Sequence, residues 1–185
     1  EQPRGLGAIA KTLSMDMRSE DRAWLKMKLD ALAKARDEEG FTIAMPPGGK
    51  QEWQKGVVAA FANIVRWRCE QLGVFRDLEQ QLLPISTPVI NALFSKKEPK
   101  AGPLGTMSWT VDVENPNTGD DFVLGVKALQ PPDGSRRPYS IWLAGEYPKA
   151  LDGLCKLISL DMRVVDANWI GLKLKKLLNF GEQNG

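Results

Sequence analysis

Apolar side chains along this chain recur first with the period of a helix and later with that of a strand. Between residues 7 and 17, Ile9, Ala10, Leu13 and Met17 fall on one helical stripe. Ser19 offers a cap for a second helix over about 20–37, and Glu20 and Asp21 put negative charge in its first turn, where the helix dipole favours it. That helix carries Trp24, Leu25, Leu29, Leu32 and Ala33 at helical spacing, and the run Asp37–Glu39 with Gly40 is expected to end it. Residues 38–56, which contain Pro46-Pro47-Gly48-Gly49, read as a loop. Residues 57–73 form a helix apolar around more than half its circumference and stopped by Gly73. Thr87-Pro88 opens a short helix through Phe94, and the Lys-, Pro- and Gly-rich stretch after it is a linker.

From residue 106 the period changes to two. Trp109, Val111 and Val113 alternate with Thr110, Asp112 and Glu114, and Asn115–Gly119 makes a turn. Phe122–Val126 is a second strand, Pro131–Gly134 turns again, and Tyr139, Ile141 and Leu143 alternate in a third. Pro148 suits the opening turn of a helix with Leu154, Cys155, Ile158 and Met162 on its stripe. A last helix turns Trp169, Ile170, Leu174 and Leu177 inward and ends at Gly181. The buried face of this half is expected to hold Trp109, Val111, Ile141, Leu154, Ile158 and Trp169.

The two helix pairs repeat one another. Lys11–Leu32 (KTLSMDMRSEDRAWLKMKLDAL) and Lys156–Leu177 (KLISLDMRVVDANWIGLKLKKL) align without a gap. Lys11/Lys156, Ser14/Ser159, Asp16/Asp161, Met17/Met162, Arg18/Arg163, Asp21/Asp166, Trp24/Trp169, Lys28/Lys173, Leu29/Leu174 and Leu32/Leu177 are identical. Composition alone would give roughly one or two identities, so the alignment reads as a duplicated unit. The chain is thus expected to be α+β, with duplicated helix–turn–helix pairs, the C-terminal copy preceded by a three-stranded antiparallel β-meander. Its expected organisation is a helical region over 1–95, a linker over 96–105 and a small α+β module over 106–180.

Composition narrows the chemistry. The 185 residues carry a net charge of +2, without the basic excess of a nucleic-acid face. The chain has no histidine, which removes the commonest general base and metal ligand. Cys69 and Cys155 lie too far apart in sequence for a CxxC site, and both read as buried thiols in a reducing, cytoplasmic setting. No run of 18 apolar residues is present, so no membrane span is expected.

Met107–Leu178 resembles the small C-terminal domain, or separate small component, of adenosylcobalamin-dependent ribonucleoside-diphosphate reductases. The resemblance lies in the strand Asp121-Phe122-Val123-Leu124, Asp133-Gly134 before Pro138-Tyr139-Ser140-Ile141, the bend at Gly145 and the helix Leu157-Ile158-Ser159-Leu160-Asp161-Met162-Arg163. Residues 6–32 add to it. The resemblance implies a non-catalytic accessory or regulatory role in deoxyribonucleotide synthesis, exerted by binding a large catalytic chain. No cofactor is expected in this chain; adenosylcobalamin would reside in that partner. Where the family domain carries cysteines near its second strand, this chain has Thr118-Gly119-Asp120-Asp121, so a role in relaying reducing equivalents does not transfer. The first copy lacks a sheet of its own, whose strands would precede Glu1, and the chain is expected to be part of a longer protein. The alternative is an independent protein- or nucleic-acid-binding regulatory module.

No catalytic, cofactor-binding or metal-binding residue is assigned. Asp120, Asp133, Arg136 and Arg137 are the candidate partner contacts, and self-association is compatible with the pattern. Asp16, Arg18 and Asp21, with Asp161, Arg163 and Asp166, could form a charged site presented twice, and Trp24 and Trp169 could stack on a base or a flat cofactor. The favoured reading of all eight is structural, with Arg18 and Arg163 bonding helix-end carbonyls, Asp21 and Asp166 capping, and Trp24 and Trp169 anchoring the core. Lys173, Lys175 and Lys176, and Arg66 and Arg68 around Trp67, read as solvated faces rather than phosphate contacts.

Overall fold

A computed structural model describes residues 3–19, 21–37, 39–76, 78, 106–129, 136–164 and 167–180. Among these the fold is α+β, with five helices, a two-stranded sheet and a three-stranded sheet, both antiparallel. Contacts divide the chain into two compact units, one within Glu1–Pro84 and one within Ile85–Phe180. The short helix expected around 87–94, the linker 96–105 and the turn Pro131–Gly134 lie outside the described residues.

The first unit runs α1 (Leu6–Asp16), α2 (Arg22–Leu32), β1 (Phe41–Met45), β2 (Lys50–Gln54) and α3 (Val57–Gln71). Asp21 rather than Ser19 caps α2: its Oδ1 accepts the Trp24 N–H at 2.9 Å, while Ser19 Oγ donates to the Asp16 carbonyl at the end of α1. Leu29 and Leu32 on α2 are fully buried, each worth about 2 kcal/mol of apolar transfer. The helix stops at Leu32, five residues short of the expected acidic run. Asp37 has another task, accepting the Val57 N–H at 2.8 Å and so satisfying a donor at the start of α3. At the other end of α3, Val74 N–H bonds the Cys69 carbonyl and Gly73 N–H the Glu70 carbonyl, with Gly73 at φ +71. That is a Schellman stop, and glycine takes its left-handed position without strain.

Residues 38–56 are not a plain loop. Pro46–Gly49 turns a hairpin in which Phe41 pairs with Gln54 and Met45 with Lys50. The expectation failed because the second strand is polar (Lys50, Gln51, Glu52, Gln54) and most of the hairpin is exposed, so no apolar alternation announces it. A part-buried contact ties it down: Asn63 on α3 donates to Gln54 Oε1 at 2.8 Å.

The second unit runs β3 (Met107–Asn115), β4 (Asp120–Leu129), β5 (Arg137–Glu146), α4 (Ala150–Val164) and α5 (Ala167–Leu178). The strands pair in the order β3-β4-β5. Asn115–Gly119 makes the expected turn, with Thr118 and Gly119 N–H groups on the Asn115 carbonyl and Gly119 at φ +72. Trp142 on β5 lies across Gly125 on β4 and donates to Ser108 on β3 at 3.3 Å. A Cβ at Gly125 would overlap the indole, so the smallest residue is required beneath it.

Helix α4 lies along β5 and buries Tyr139, Leu157, Ile158, Leu160 and Met162. Ser159 Oγ accepts the Ile141 N–H at 2.8 Å and donates to the Ile141 carbonyl at 3.5 Å. Both groups point away from β4, so one hydroxyl occupies the place of a further strand. The expected core is therefore corrected. Ile158 is buried and Ile141, Leu154 and Trp169 are half-buried, but Val111 is exposed and Trp109 is 62% exposed. Alternation fixes two faces of a strand but not which one is covered. The helix sits by β5, and β3 is two strand spacings, about 10 Å, further out. Leu174, also expected inward, is exposed on α5.

Candidate functional site

The side chains that each helix pair buries most completely include an acid and a lysine. Asp16 on α1 meets Lys28 on α2 at 2.8 Å, and Asp161 on α4 meets Lys173 on α5 at 2.7 Å. All four are within 3% of full burial. Lys28 Nζ lies 5.8 Å from the ring centroid of Trp24, and Lys173 Nζ 5.6 Å from that of Trp169. Tryptophan precedes lysine by four residues, so the indole stands beside the lysine on the helix surface. Each ammonium thus leaves water with a carboxylate and an aromatic face as compensation. Such a pair adds little net stability over a well-packed apolar pair, but losing one partner strands a buried charge.

This arrangement gives Asp16 and Asp161 a buried partner, the lysine of the second helix, which neither reading of the repeated positions named. The structural reading holds where Asp21 caps α2 and Arg163 donates to a carbonyl near the end of α4. Lys173 was grouped with Lys175 and Lys176 on a solvated face; it is buried, whereas Lys175 and Lys176 are exposed. The signal lay in the sequence: a lysine identical in both aligned stretches, one turn after a tryptophan, is buried in each unit.

The remaining repeat positions differ between the units. Asp21 caps α2, and Trp24 is buried where Trp169 is half-buried. Asp166 lies outside the described residues. Arg163 is buried and its Nε donates to the Ser159 carbonyl at 3.1 Å, while Arg18 is exposed. Arg66, expected on a solvated face, pairs with Asp30 on α2 at 3.2 Å.

The candidate partner contacts do not form one patch. Asp120 opens β4 beside Thr118, at the end of the sheet where Asn115 turns. Arg136 and Arg137 stand at the opposite end, where Leu129 pairs with Arg137, about 30 Å away along the strand. Asp133 lies outside the described residues. Arg136 joins Met107, Trp109, Val126, Ala128 and Leu129 around a shallow cavity of about 280 Å³. With exposed Val111 next in line, the face of β3 offers an apolar strip with a cation at one end.

The thiols are held in their neutral form. Burial, reinforced by Asp152, pushes Cys155 up to about 12, and burial with Glu70 raises Cys69. Cys155 is half-buried rather than buried. Among the described residues no three metal-ligating side chains converge, and no helix is long and apolar enough to cross a membrane.

No protein-family model matches the chain, and neither a curated protein nor a solved structure matches it.

Proposed function

We propose that this chain is a non-catalytic accessory component of an adenosylcobalamin-dependent ribonucleoside-diphosphate reductase and acts by binding the catalytic chain. The observation that carries the binding part is the exposed apolar strip of β3, with Trp109 at 62% exposure beside Arg136. An exposed aromatic next to an arginine on a flat strand is the composition of an interface centre. The identity of the partner rests on the resemblance of Met107–Leu178. In this reading the cobalamin and the reacting nucleotide belong to the partner, and this chain lends surface.

The same reading takes Lys11–Leu32 and Lys156–Leu177 as two copies of one helix–turn–helix unit. What supports it is the pair of braces, Asp16–Lys28 under Trp24 and Asp161–Lys173 under Trp169, at matched positions and nearly equal distances.

The test mixes the chain at micromolar concentration with the cobalamin-dependent catalytic chain from the same cells. Co-elution is expected, with reductase turnover that rises on adding this chain. Trp109→Ala should weaken the association at least tenfold. Absence of any association, or salt-dependent binding to DNA or RNA in its place, overturns the proposal.

A further inference from the structure

The first helix of each pair carries the same side chains in the same order: Ser14, Met17 and Arg18 on α1 and its cap, and Ser159, Met162 and Arg163 on α4. Their surroundings are opposite. Ser159, Met162 and Arg163 are buried, Met162 at 8% exposure; Ser14 and Arg18 are exposed and Met17 is 46% exposed. The covering layer in the second unit is β5, whose outward peptide group at Ile141 is held on both sides by the Ser159 hydroxyl. In the first unit Ser14 Oγ turns back and donates to the Ala10 carbonyl of its own helix at 2.8 Å. A serine that bonds its own helix holds a hydroxyl ready to exchange for an incoming backbone group.

We propose that the exposed face of α1 is a seat for the edge strand of a partner protein's antiparallel sheet. The strand would place the free N–H and C=O of one residue on Ser14 Oγ and an aliphatic side chain against Met17. The inference rests on the reading that the two helix pairs are copies of one unit. The charge of the seat narrows the occupant further. Lys11 and Ser14 share one stripe of α1 and Arg18 follows its cap; the lysine and arginine are exposed, while the nearby Asp16 is spent on Lys28. A strand carrying a carboxylate at that end is therefore favoured over a basic one. Recognition by a strand edge supplies main-chain hydrogen bonds for affinity and side-chain contacts for selection.

The experiment supplies the strand. Residues 106–149 are fused ahead of Gly5 in the full chain, which keeps the spacing from β5 to α4, in a background with Cys69 and Cys155 replaced by alanine. Met17→Cys then reports on the seat through its maleimide labelling rate. The fusion should slow labelling at least tenfold, and Ser14→Ala should return most of that rate. A fused sheet could fold without docking or fail to fold. A second measurement therefore places a benzoylphenylalanine at position 17 and irradiates it with a synthetic peptide of residues 136–147. Cross-linking is expected at position 17 and not at position 162, which is already buried. Unchanged labelling together with no cross-link overturns the proposal, as does protection of Met17 by a second copy of the unfused chain. Ser159→Ala separates the layers of the argument. If that change leaves the exchange of the Ile141 amide unaltered, the comparison between units fails. If it speeds exchange while the fusion stays silent, the strand seat alone is lost, whatever the reductase mixing experiment shows.

Discussion

In the first unit the second helix of the pair is the covered one. Leu29 on α2 is fully buried, with α3 packed against the helix and Arg66 clasping Asp30, while Ser14 and Met17 at the end of α1 face outward. In the second unit the order reverses. Helix α4 is sealed by β5, and on α5 the counterpart of Leu29, Leu174, is 41% exposed. The interior between the helices is the same in both: aspartate on the first, lysine on the second, tryptophan one turn before the lysine. The difference teaches where the shared sequence acts. It specifies how two helices hold one another, and the outer faces accept different covering layers, a helix in one case and a sheet edge in the other.

Local geometry diverges where the layers diverge. Helix α1 ends at Asp16, with Arg18 and Ser19 N–H groups bonding three residues back, whereas α4 continues to Val164. Ser19 supplies the reason, since its hydroxyl takes the Asp16 carbonyl; its counterpart Val164 has no hydroxyl to compete for a helical carbonyl.

The comparison breaks most sharply at the braces. Lys28→Met and Lys173→Met each leave a buried carboxylate without its lysine, and each should cost its own unit about 3–5 kcal/mol in urea unfolding. Adding Asp16→Leu or Asp161→Leu should recover most of the loss, because the stranded charge goes with it. A loss under about 1 kcal/mol in either unit would mean the brace is not shared.

Next in size is thiol reactivity. Cys155, at the position of Ala10, is raised from 9.0 to about 12, so at pH 8 its thiolate fraction is lower by about a thousandfold and iodoacetamide should react correspondingly slowly. The folded state holds that proton more tightly than the unfolded chain. The stability it lends is therefore complete below pH 9 and falls as pH rises toward 12, and Cys155→Ala should flatten the alkaline limb. Tyr147, raised from 10.0 to about 12, titrates in the upper part of that window, and Tyr147→Phe separates its share.

The caps come third. Asp21→Ala should cost about 1 kcal/mol by exposing the Trp24 N–H. Asp166→Ala should cost the same if the copies match there, and an unequal cost by thermal unfolding would end the parallel at the turn. Smallest is the serine pair. Ser159→Ala should cost about 1 kcal/mol through Ile141, and Ser14→Ala less than about 0.5 kcal/mol in the chain alone, read by amide exchange and urea titration.

The meander and the helix of residues 57–73 were legible because their apolar periods are clean and their stops are glycines in turns that need them, Gly119 and Gly73. The hairpin at Phe41–Gln54 was not, since a polar, mostly exposed pair of strands carries no hydrophobic rhythm. The candidate brace was half legible. The identity of Lys28 and Lys173 stood in the alignment, but charge alone suggested a surface, and only the depth of the lysines shows the carboxylate beneath. Trp109 was misplaced for a different reason: a strand's alternation says that two faces differ, and the third dimension decides which one meets the helix.

The hydroxyl of Ser159 has one more consequence. It satisfies the outward N–H and C=O of Ile141, so a strand arriving along β5 would meet a helix side chain there, whereas among the described residues β3 meets no strand beyond β4. An added strand is therefore expected along β3 before it is expected at Ile141.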